Sequence, residues 1–138
     1  YDWLRGYHTG GRSVMWGRQS YRLSNLDFSA NNTDGHGIDW PVRYEDIEPW
    51  YAKVETFVGI SGSAEGLPQL PDSIFQPTFE MTDAEKQLKS KVETAFPKRN
   101  VIPARVAHLT DATDEQKSLG RSNCQVRNRC VFGCSFKA

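Results

Sequence analysis

The sequence predicts an α+β segment in which two amphipathic helices and short strands are joined by long loops. Two stretches place apolar residues at helical spacing, and shorter runs alternate apolar with polar residues in the manner of strands. The 138 residues also include 11 glycines and 7 prolines, residues that interrupt regular structure. We therefore expect loops to make up much of the chain.

The first helix is predicted over residues 43–59, where apolar residues recur every three or four positions. This stripe consists of Ile47, Trp50, Tyr51, Val54, Phe57 and Val58. Pro49 has no N–H to donate, so we expect it in the first turn. Gly59 is a natural residue to end the helix.

The second helix is predicted over residues 82–96. Thr82 and Glu85 have the spacing of a capping box, in which each side chain binds a free N–H of the first turn. A narrow apolar stripe follows at Leu88, Val92 and Phe96, and Pro97 is expected to end the helix.

The rest of the chain predicts extended or irregular structure. A short strand is expected over residues 18–24, a turn or exposed loop over 31–37 and a surface loop over 60–79. Residues 100–109 should be extended, with Pro103 at an edge or bulge. The chain then ends in a cysteine-containing loop.

These elements suggest a division into three parts. They are residues 1–43 with the glycine-rich loop and the strand, residues 44–110 with the two helices, and residues 111–138 with the cysteines. Much loop and an uncovered aromatic stripe, together with an apolar start that lacks methionine, lead us to expect an internal piece of a longer chain.

Composition narrows the class of partner. The counts of Lys plus Arg and of Asp plus Glu are both 17, so the formal net charge is zero. Nucleic-acid binding usually requires a basic excess, so we expect no nucleic-acid partner. No apolar run approaches the roughly 20 residues needed to cross a bilayer, so no membrane span is expected here.

The stretch HTGGRSVMWGRQ, residues 8–19, is a candidate binding loop. Gly10 and Gly11 lack a Cβ, so their backbone can approach a planar ring or a pyrophosphate closely. Arg12 can neutralise an anion, Ser13 can donate a hydrogen bond and Trp16 offers a flat apolar wall. A plain turn beside a core tryptophan would have the same sequence.

Cysteines make the last segment the candidate metal site. Cys124, Cys130 and Cys134 have the spacing C-x5-C-x3-C. Thiolates bind iron–sulfur clusters or zinc, and zinc would require a fourth ligand such as His108. One disulfide with a free thiol, or three structural cysteines, are the alternatives. The nearby cations that could favour thiolates are Arg121, Arg127 and Arg129.

Taken together, three stretches resemble the glucose–methanol–choline (GMC) oxidoreductases, specifically the branch near pyranose oxidases and bacterial sugar and glucoside dehydrogenases. The glycine stretch GGRSVMWGRQSYRL resembles their flavin-contacting loop. The aromatic stretch DWPVRYEDIEPWYAKVETFVGISG resembles the helix that follows that loop, and GRSNCQVRNRCVFGC resembles a cysteine segment of the bacterial branch. The three stretches occur in the order expected of that family.

The resemblance implies an enzyme with a larger FAD-binding and substrate-domain fold. Its flavin contacts would fall on Gly10, Gly11, Arg12, Ser13, Met15, Trp16 and Gly17. Pyranose oxidases bond the flavin covalently to a histidine of this loop. Met15 stands at that position here, and a thioether cannot make the bond, so FAD should be held non-covalently.

The resemblance also implies the reaction and the fate of its electrons. A sugar or glycoside hydroxyl would be oxidised by hydride transfer to the flavin, with the helical segment on the substrate side. Cys124, Cys130 and Cys134 would hold a [3Fe–4S] cluster that passes electrons onward, for example to an electron-transfer subunit. A periplasmic location is implied in the same way.

Catalytic residues are not expected in this segment. The family's catalytic histidine would lie downstream, and His8, His36 and His108 do not match its position. The GxGxxG stretch that binds the FAD pyrophosphate would lie upstream, because this sequence contains none. The segment alone should be inactive. The alternative function is a non-enzymatic interaction module that uses Trp50, Tyr51 and Phe57.

Overall fold

The computed structural model describes residues 5–128 and 130–138. The α-helices of this part are α1 (Asn25–Phe28), α2 (Ala30–Asp34), α3 (Tyr44–Val58), α4 (Asp83–Ala95) and α5 (Asp114–Ser118). Short 3-10 helices cover Gly11–Val14 and Cys130–Phe132. Strand pairing among these residues is limited to isolated bridges. The α+β class of a larger fold therefore stays a prediction, as does the division into three parts.

Helix α3 confirms the first predicted helix and corrects one detail of it. The N–H of Tyr44 donates to Asn25 Oδ1 at 2.8 Å, and Gly59 ends the helix with φ of 80°. Pro49 is the sixth residue of α3 and lies beyond the first turn where it was expected. Its missing N–H leaves the Glu45 carbonyl without the usual helical donor, an interruption that the long helix tolerates.

Helix α4 confirms the second predicted helix. The Thr82 N–H donates to Glu85 Oε2 at 2.7 Å, while the Glu85 N–H donates back to Thr82 Oγ1 at 3.3 Å. The helix ends at Ala95, immediately before Phe96 and Pro97. Reciprocal capping satisfies two donors that the first turn would otherwise leave unpaired.

Two predictions over the first 40 residues are wrong in part. The strand expected at 18–24 is reduced to one antiparallel bridge between Gln19 and Val106. The stretch 31–37, expected as a turn, begins inside helix α2 (Ala30–Asp34) and turns only at Gly35, whose φ is 74°. Ser24 caps the preceding helix α1 with its side chain, a local signal that the strand pattern obscured.

Helix α5 was not predicted. Thr113 accepts a hydrogen bond from the Gln116 N–H at 3.2 Å, and the Gln116 side chain accepts one from the Thr113 N–H at 2.9 Å. This capping box opens a helix of only five residues, too short to show an apolar period.

The extended segment 100–109 was predicted correctly and holds the buried centre together. Val106 bridges Gln19 on one side and Ser61 on the other. Ser61 and Val106 exchange N–H···O bonds of 2.9 and 3.0 Å. The loop 60–79 is therefore a surface loop only in part, because its first residues, Ile60 and Ser61, are buried.

Two buried arginines fix the loops to this centre. Arg22 donates to both carboxylate oxygens of Glu55 in α3, at 2.5 to 3.1 Å, and to the Tyr44 hydroxyl at 2.6 Å. Arg105 is only 1% exposed, and it donates to Asp72 Oδ1 and to the Pro71 carbonyl at 2.7 and 2.6 Å. Both guanidinium groups thus lie where several carbonyl or carboxylate oxygens converge.

The aromatic stripe of α3 is largely uncovered within this structure. Trp50 is 64% exposed and Phe57 61% exposed, whereas Ile47 and Tyr51 are partly buried. In the part of the chain that the structure describes, no helix is both long enough and apolar enough to cross a membrane.

Candidate functional site: the glycine turn and the cysteine pocket

The glycine turn is a tight one that only glycine can make easily. Gly10 has φ of 95° and Gly11 φ of 52°, both in the left-handed region. The Gly11 N–H donates to the His8 carbonyl at 2.9 Å, which closes the turn before the 3-10 helix Gly11–Val14. A Cβ at Gly10 would lie 2.6 Å from Val14 Cγ2, so the space there is already filled.

The candidate flavin-contacting residues lie on this turn with different exposures. Arg12 and Ser13 are exposed, whereas Met15 and Trp16 are partly buried. The Ser13 hydroxyl donates to the Gly10 carbonyl at 2.5 Å and therefore stabilises the turn itself. Gly17 has no neighbouring atom within 4 Å of where its Cβ would be, so its backbone is open to approach.

The three cysteines line one pocket. Cys124, Cys130 and Cys134 are partly buried free thiols around a space of about 260 Å³. Cys124 is positioned by its own N–H, which donates to the Leu109 carbonyl at 2.7 Å. The disulfide alternative is not realised in this structure.

The remaining wall of the cysteine pocket is polar without being acidic. Its other lining residues among those described are Gln125, Arg127, Asn128, Gly133, Ser135 and Phe136. The Arg127 guanidinium lies over the Phe136 ring, 5.6 Å from its centroid. No carboxylate lies among these described lining residues, so no negative side chain there opposes the ionisation of the thiols.

His108 contacts one of the cysteines. Its Nε2 lies 3.3 Å from Cys130 Sγ, and its ring packs edge-on against Phe79. Burial, with the nearby Arg18 charge, lowers the pKa of His108 and favours the neutral imidazole. Over residues 5–128 and 130–138, no three His, Cys, Asp or Glu side chains converge tightly enough to hold a single metal ion.

Of the arginines expected near the thiols, Arg121 and Arg127 are described, and Arg127 lines the pocket. Arg121 donates instead to the Phe57 and Val58 carbonyls at the end of α3, at 2.7 and 2.5 Å. Arg129 lies outside the described residues. Arg18, which sequence reasoning missed, donates to the Ala138 carbonyl close to Cys134. No local pattern reveals that contact, because the two residues are 120 positions apart.

The electrostatics of Cys134 are set by backbone groups and by Arg18. Burial alone would raise the pKa of the Cys134 thiol. The N–H groups of Ala138, Phe136 and Lys137 and the charge of Arg18 outweigh burial and hold that pKa below its usual value. The surroundings of Cys134 therefore ease its ionisation relative to an exposed cysteine.

The glycine turn and the cysteine pocket are connected through the extended segment 105–109. The Ala107 N–H donates to the Arg18 carbonyl at 2.8 Å, directly after the turn. The next residues of the segment, His108 and Leu109, contact Cys130 and Cys124. The two candidate sites therefore share one buried support.

Comparison with known proteins gives distant relatives, and no family model matches the chain. The fructose dehydrogenase large subunit of Gluconobacter japonicus is 25% identical over 129 residues, 94% of this chain and 23% of that protein. The 6'''-hydroxyparomomycin C oxidase of Streptomyces lividus is 25% identical over 90% of this chain and 23% of its own length.

A third relative matches a shorter stretch more closely. The 2-methyl-1,2-propanediol dehydrogenase of Mycolicibacterium austroafricanum is 33% identical over 67 residues, 47% of this chain and 12% of that protein. The chain thus spans less than a quarter of the length of these relatives. All three are named as dehydrogenases or oxidases, so this chain is distantly related to oxidoreductases.

Proposed function

We propose that the chain is an internal segment of a GMC-type, FAD-dependent dehydrogenase that oxidises a hydroxyl of a sugar or glycoside. The relatives named as a fructose dehydrogenase large subunit and a 6'''-hydroxyparomomycin C oxidase support the substrate class. The observation that carries the proposal is the shared support of the glycine turn and the cysteine pocket at residues 105–109. A flavin site and an exit for its electrons would have to lie close together.

The glycine turn fits one wall of a flavin site. Gly10 and Gly11 take left-handed conformations, and Gly17 leaves open space for a planar ring to approach. When bound, FAD accepts a hydride from the substrate carbon. The half-buried Met15 and Trp16 would give that wall its apolar part. The pyrophosphate site and the catalytic base would come from other parts of the polypeptide.

The cysteine pocket fits a [3Fe–4S] cluster. Three partly buried thiols line one space of about 260 Å³, and no carboxylate lies among the described lining residues. The backbone N–H groups at residues 136–138 favour the ionised form of Cys134. When bound, such a cluster accepts electrons one at a time and passes them on. The role of the chain is to supply ligands and a positive surrounding.

The test is an absorbance spectrum and an iron assay of the full-length polypeptide, purified without oxygen. We expect flavin bands that acid releases completely, because Met15 cannot form a covalent link. We also expect a broad iron–sulfur absorption that Cys130→Ser removes while the flavin bands stay. Ser118→Ala, an exposed residue of α5, is the matched control and should leave both signals intact.

Each signal tests a different part of the proposal. Flavin without iron would overturn the cluster and leave the dehydrogenase. A colourless protein that FAD cannot reconstitute would overturn the flavin site as well.

The alternative function, a protein-interaction module, is favoured by one observation. Trp50 and Phe57 of α3 are both more than half exposed. A colourless protein, monomeric or dimeric, that loses a partner on changing Trp50 to Ser would support it. If the protein instead shows flavin absorption, the exposed face of α3 would belong to the substrate side of the enzyme.

A further inference from the structure

Arg18 occupies a position that its backbone does not favour. Its φ is 64°, in the left-handed region where a residue with a Cβ is strained. Its carbonyl accepts from the Ala107 N–H, and its Nη1 donates to the carbonyls of Ala138 and Ala107. The side chain is thus held between the glycine turn and the end of the cysteine segment.

Ala138 links the Arg18 guanidinium to the cysteine pocket. Its carbonyl accepts from Arg18, and Cys134 packs against the buried cluster to which Ala138 belongs. Ala138 is itself buried and packs with Leu109 against Cys124 and Cys134. Ala138 therefore lies between the guanidinium and Cys134, a proposed cluster ligand.

The charge of Arg18 is not neutralised by an acidic side chain in the contacts that the structure records. Its Nε is buried and has no hydrogen-bond partner among the described residues. The other guanidinium nearby is that of Arg121, which donates to the Phe57 and Val58 carbonyls. Arg18 is partly buried, so its charge is incompletely screened, and this corner of the molecule favours a negatively charged occupant.

We propose that Arg18 is a positioning residue of the cysteine pocket that supplies the fixed positive charge required by a cluster bound to Cys124, Cys130 and Cys134. This inference rests on the cluster proposed above. Arg18 does not touch the sulfurs directly; it acts through Ala138 and through its field in a partly buried site. In such a site a charge is screened much less than on the surface.

A positive charge beside a cluster stabilises its reduced state, which carries one more electron. Loss of that charge should therefore lower the midpoint potential. Arg18→Gln removes the charge and keeps a polar side chain, whereas Arg18→Lys keeps the charge on a different shape. The two variants separate the effect of charge from that of geometry.

The experiment is a redox titration, followed by electron paramagnetic resonance, of the full-length protein and its variants. We expect Arg18→Gln to lower the potential and to reduce the iron bound per chain. Arg18→Lys should stay closer to the wild-type protein in both. Lys91→Gln, which removes an exposed charge on α4, is the control for net charge and should match the wild type.

The outcomes distinguish this inference from the proposed function. Wild-type protein without iron would overturn the cluster, and the role of Arg18 with it. A cluster with the same potential in the wild-type and Arg18→Gln proteins would overturn the role of Arg18 alone. Equal loss of iron from the Gln and Lys variants would also overturn it, because charge would then make no difference.

Discussion

Gly59 is a residue at which a single methyl group should matter. Its φ is 80°, and an added Cβ would lie 2.4 Å from Leu109 Cδ1 in the buried centre. Gly59→Ala should therefore combine backbone strain with overpacking and lower the local opening free energy by about 2–5 kcal/mol. Hydrogen exchange of peptides covering residues 44–60 in the full-length protein measures this change.

The control for that prediction is Gly66→Ala. Gly66 has a similar φ of 63°, but no atom lies within 4 Å of the added Cβ. Its cost should be limited to backbone strain, about 1–2 kcal/mol. Equal effects at the two glycines would contradict the packing argument.

Asp72 gives a prediction about pH. Burial would raise its pKa, but the N–H groups of Glu65 and Gly66 and the charge of Arg105 reverse this and lower it. A carboxyl whose folded pKa is depressed stabilises the fold above its unfolded pKa. That stabilisation should be complete at neutral pH and decline as the pH falls below about 4.

Asp72→Asn tests that assignment. The variant should weaken the loop 60–79 by about 1–3 kcal/mol at pH 7, because Arg105 loses its carboxylate partner. The difference from the wild type should shrink at low pH. Hydrogen exchange of peptides from that loop at pH 7 and at about pH 2.5, corrected for intrinsic exchange rates, is the measurement, because the contribution of Asp72 is lost only below its unfolded pKa. A difference that grows in acid would contradict the ion pair.

Among elements, the contact of α3 with the segment 18–24 includes one buried ion pair. Arg22 and Glu55 are both buried, and Glu55 is the first cause of the raised pKa of Arg22. Glu55→Leu leaves a buried cation and should cost about 3–5 kcal/mol. Arg22→Met combined with Glu55→Leu should recover part of that loss, because no charge then stays buried.

Local opening of α3, again followed by hydrogen exchange, checks this prediction. The matched control is Lys117→Met, which breaks the exposed pair between Lys117 and Asp114 and should change nothing measurable. A double variant that is worse than Glu55→Leu alone would mean that the other contacts of Arg22, such as its bond to the Tyr44 hydroxyl, outweigh the cost of its unpaired charge.

Elements with strong local signals were predictable from sequence, and those defined by distant contacts were not. Helices α3 and α4 each combine an apolar stripe with a clear end at Gly59 or Pro97. Residues 18–24 alternate like a strand, but only Gln19 finds a pairing partner. Such pairing depends on Val106, 87 positions further along the chain.

The same limit applies to the candidate site. The spacing of Cys124, Cys130 and Cys134 was enough to place them in one loop, and they line one pocket. The arginine that carries charge to Cys134 was expected among its neighbours in sequence, whereas it is Arg18. A field acts through space, so sequence distance does not indicate which cation is nearest.

For the whole molecule, the exposed face of α3 predicts how the 138-residue chain behaves alone. Trp50, Val54 and Phe57 are each more than half exposed, which is unusual for three large apolar residues on one helix. The isolated chain should bind the dye ANS and self-associate on size-exclusion chromatography. Trp50→Ser combined with Phe57→Ser should reduce both effects.

The full-length protein provides the comparison. If the rest of a longer polypeptide covers α3, its dye binding should be much weaker than that of the 138-residue chain. Equal dye binding by the two would mean that the face stays exposed and would favour the interaction module instead.

The contacts of Gln116 and Arg121 have a consequence for how this region can be redesigned. Their side chains donate to the carbonyls of residues 56–58 and so close the end of α3 from within the cysteine segment. The structural role of this segment therefore does not depend on its three thiols. An engineer could exchange the three thiols for hydroxyls and keep the scaffold, but excising the loop would also uncap the aromatic helix.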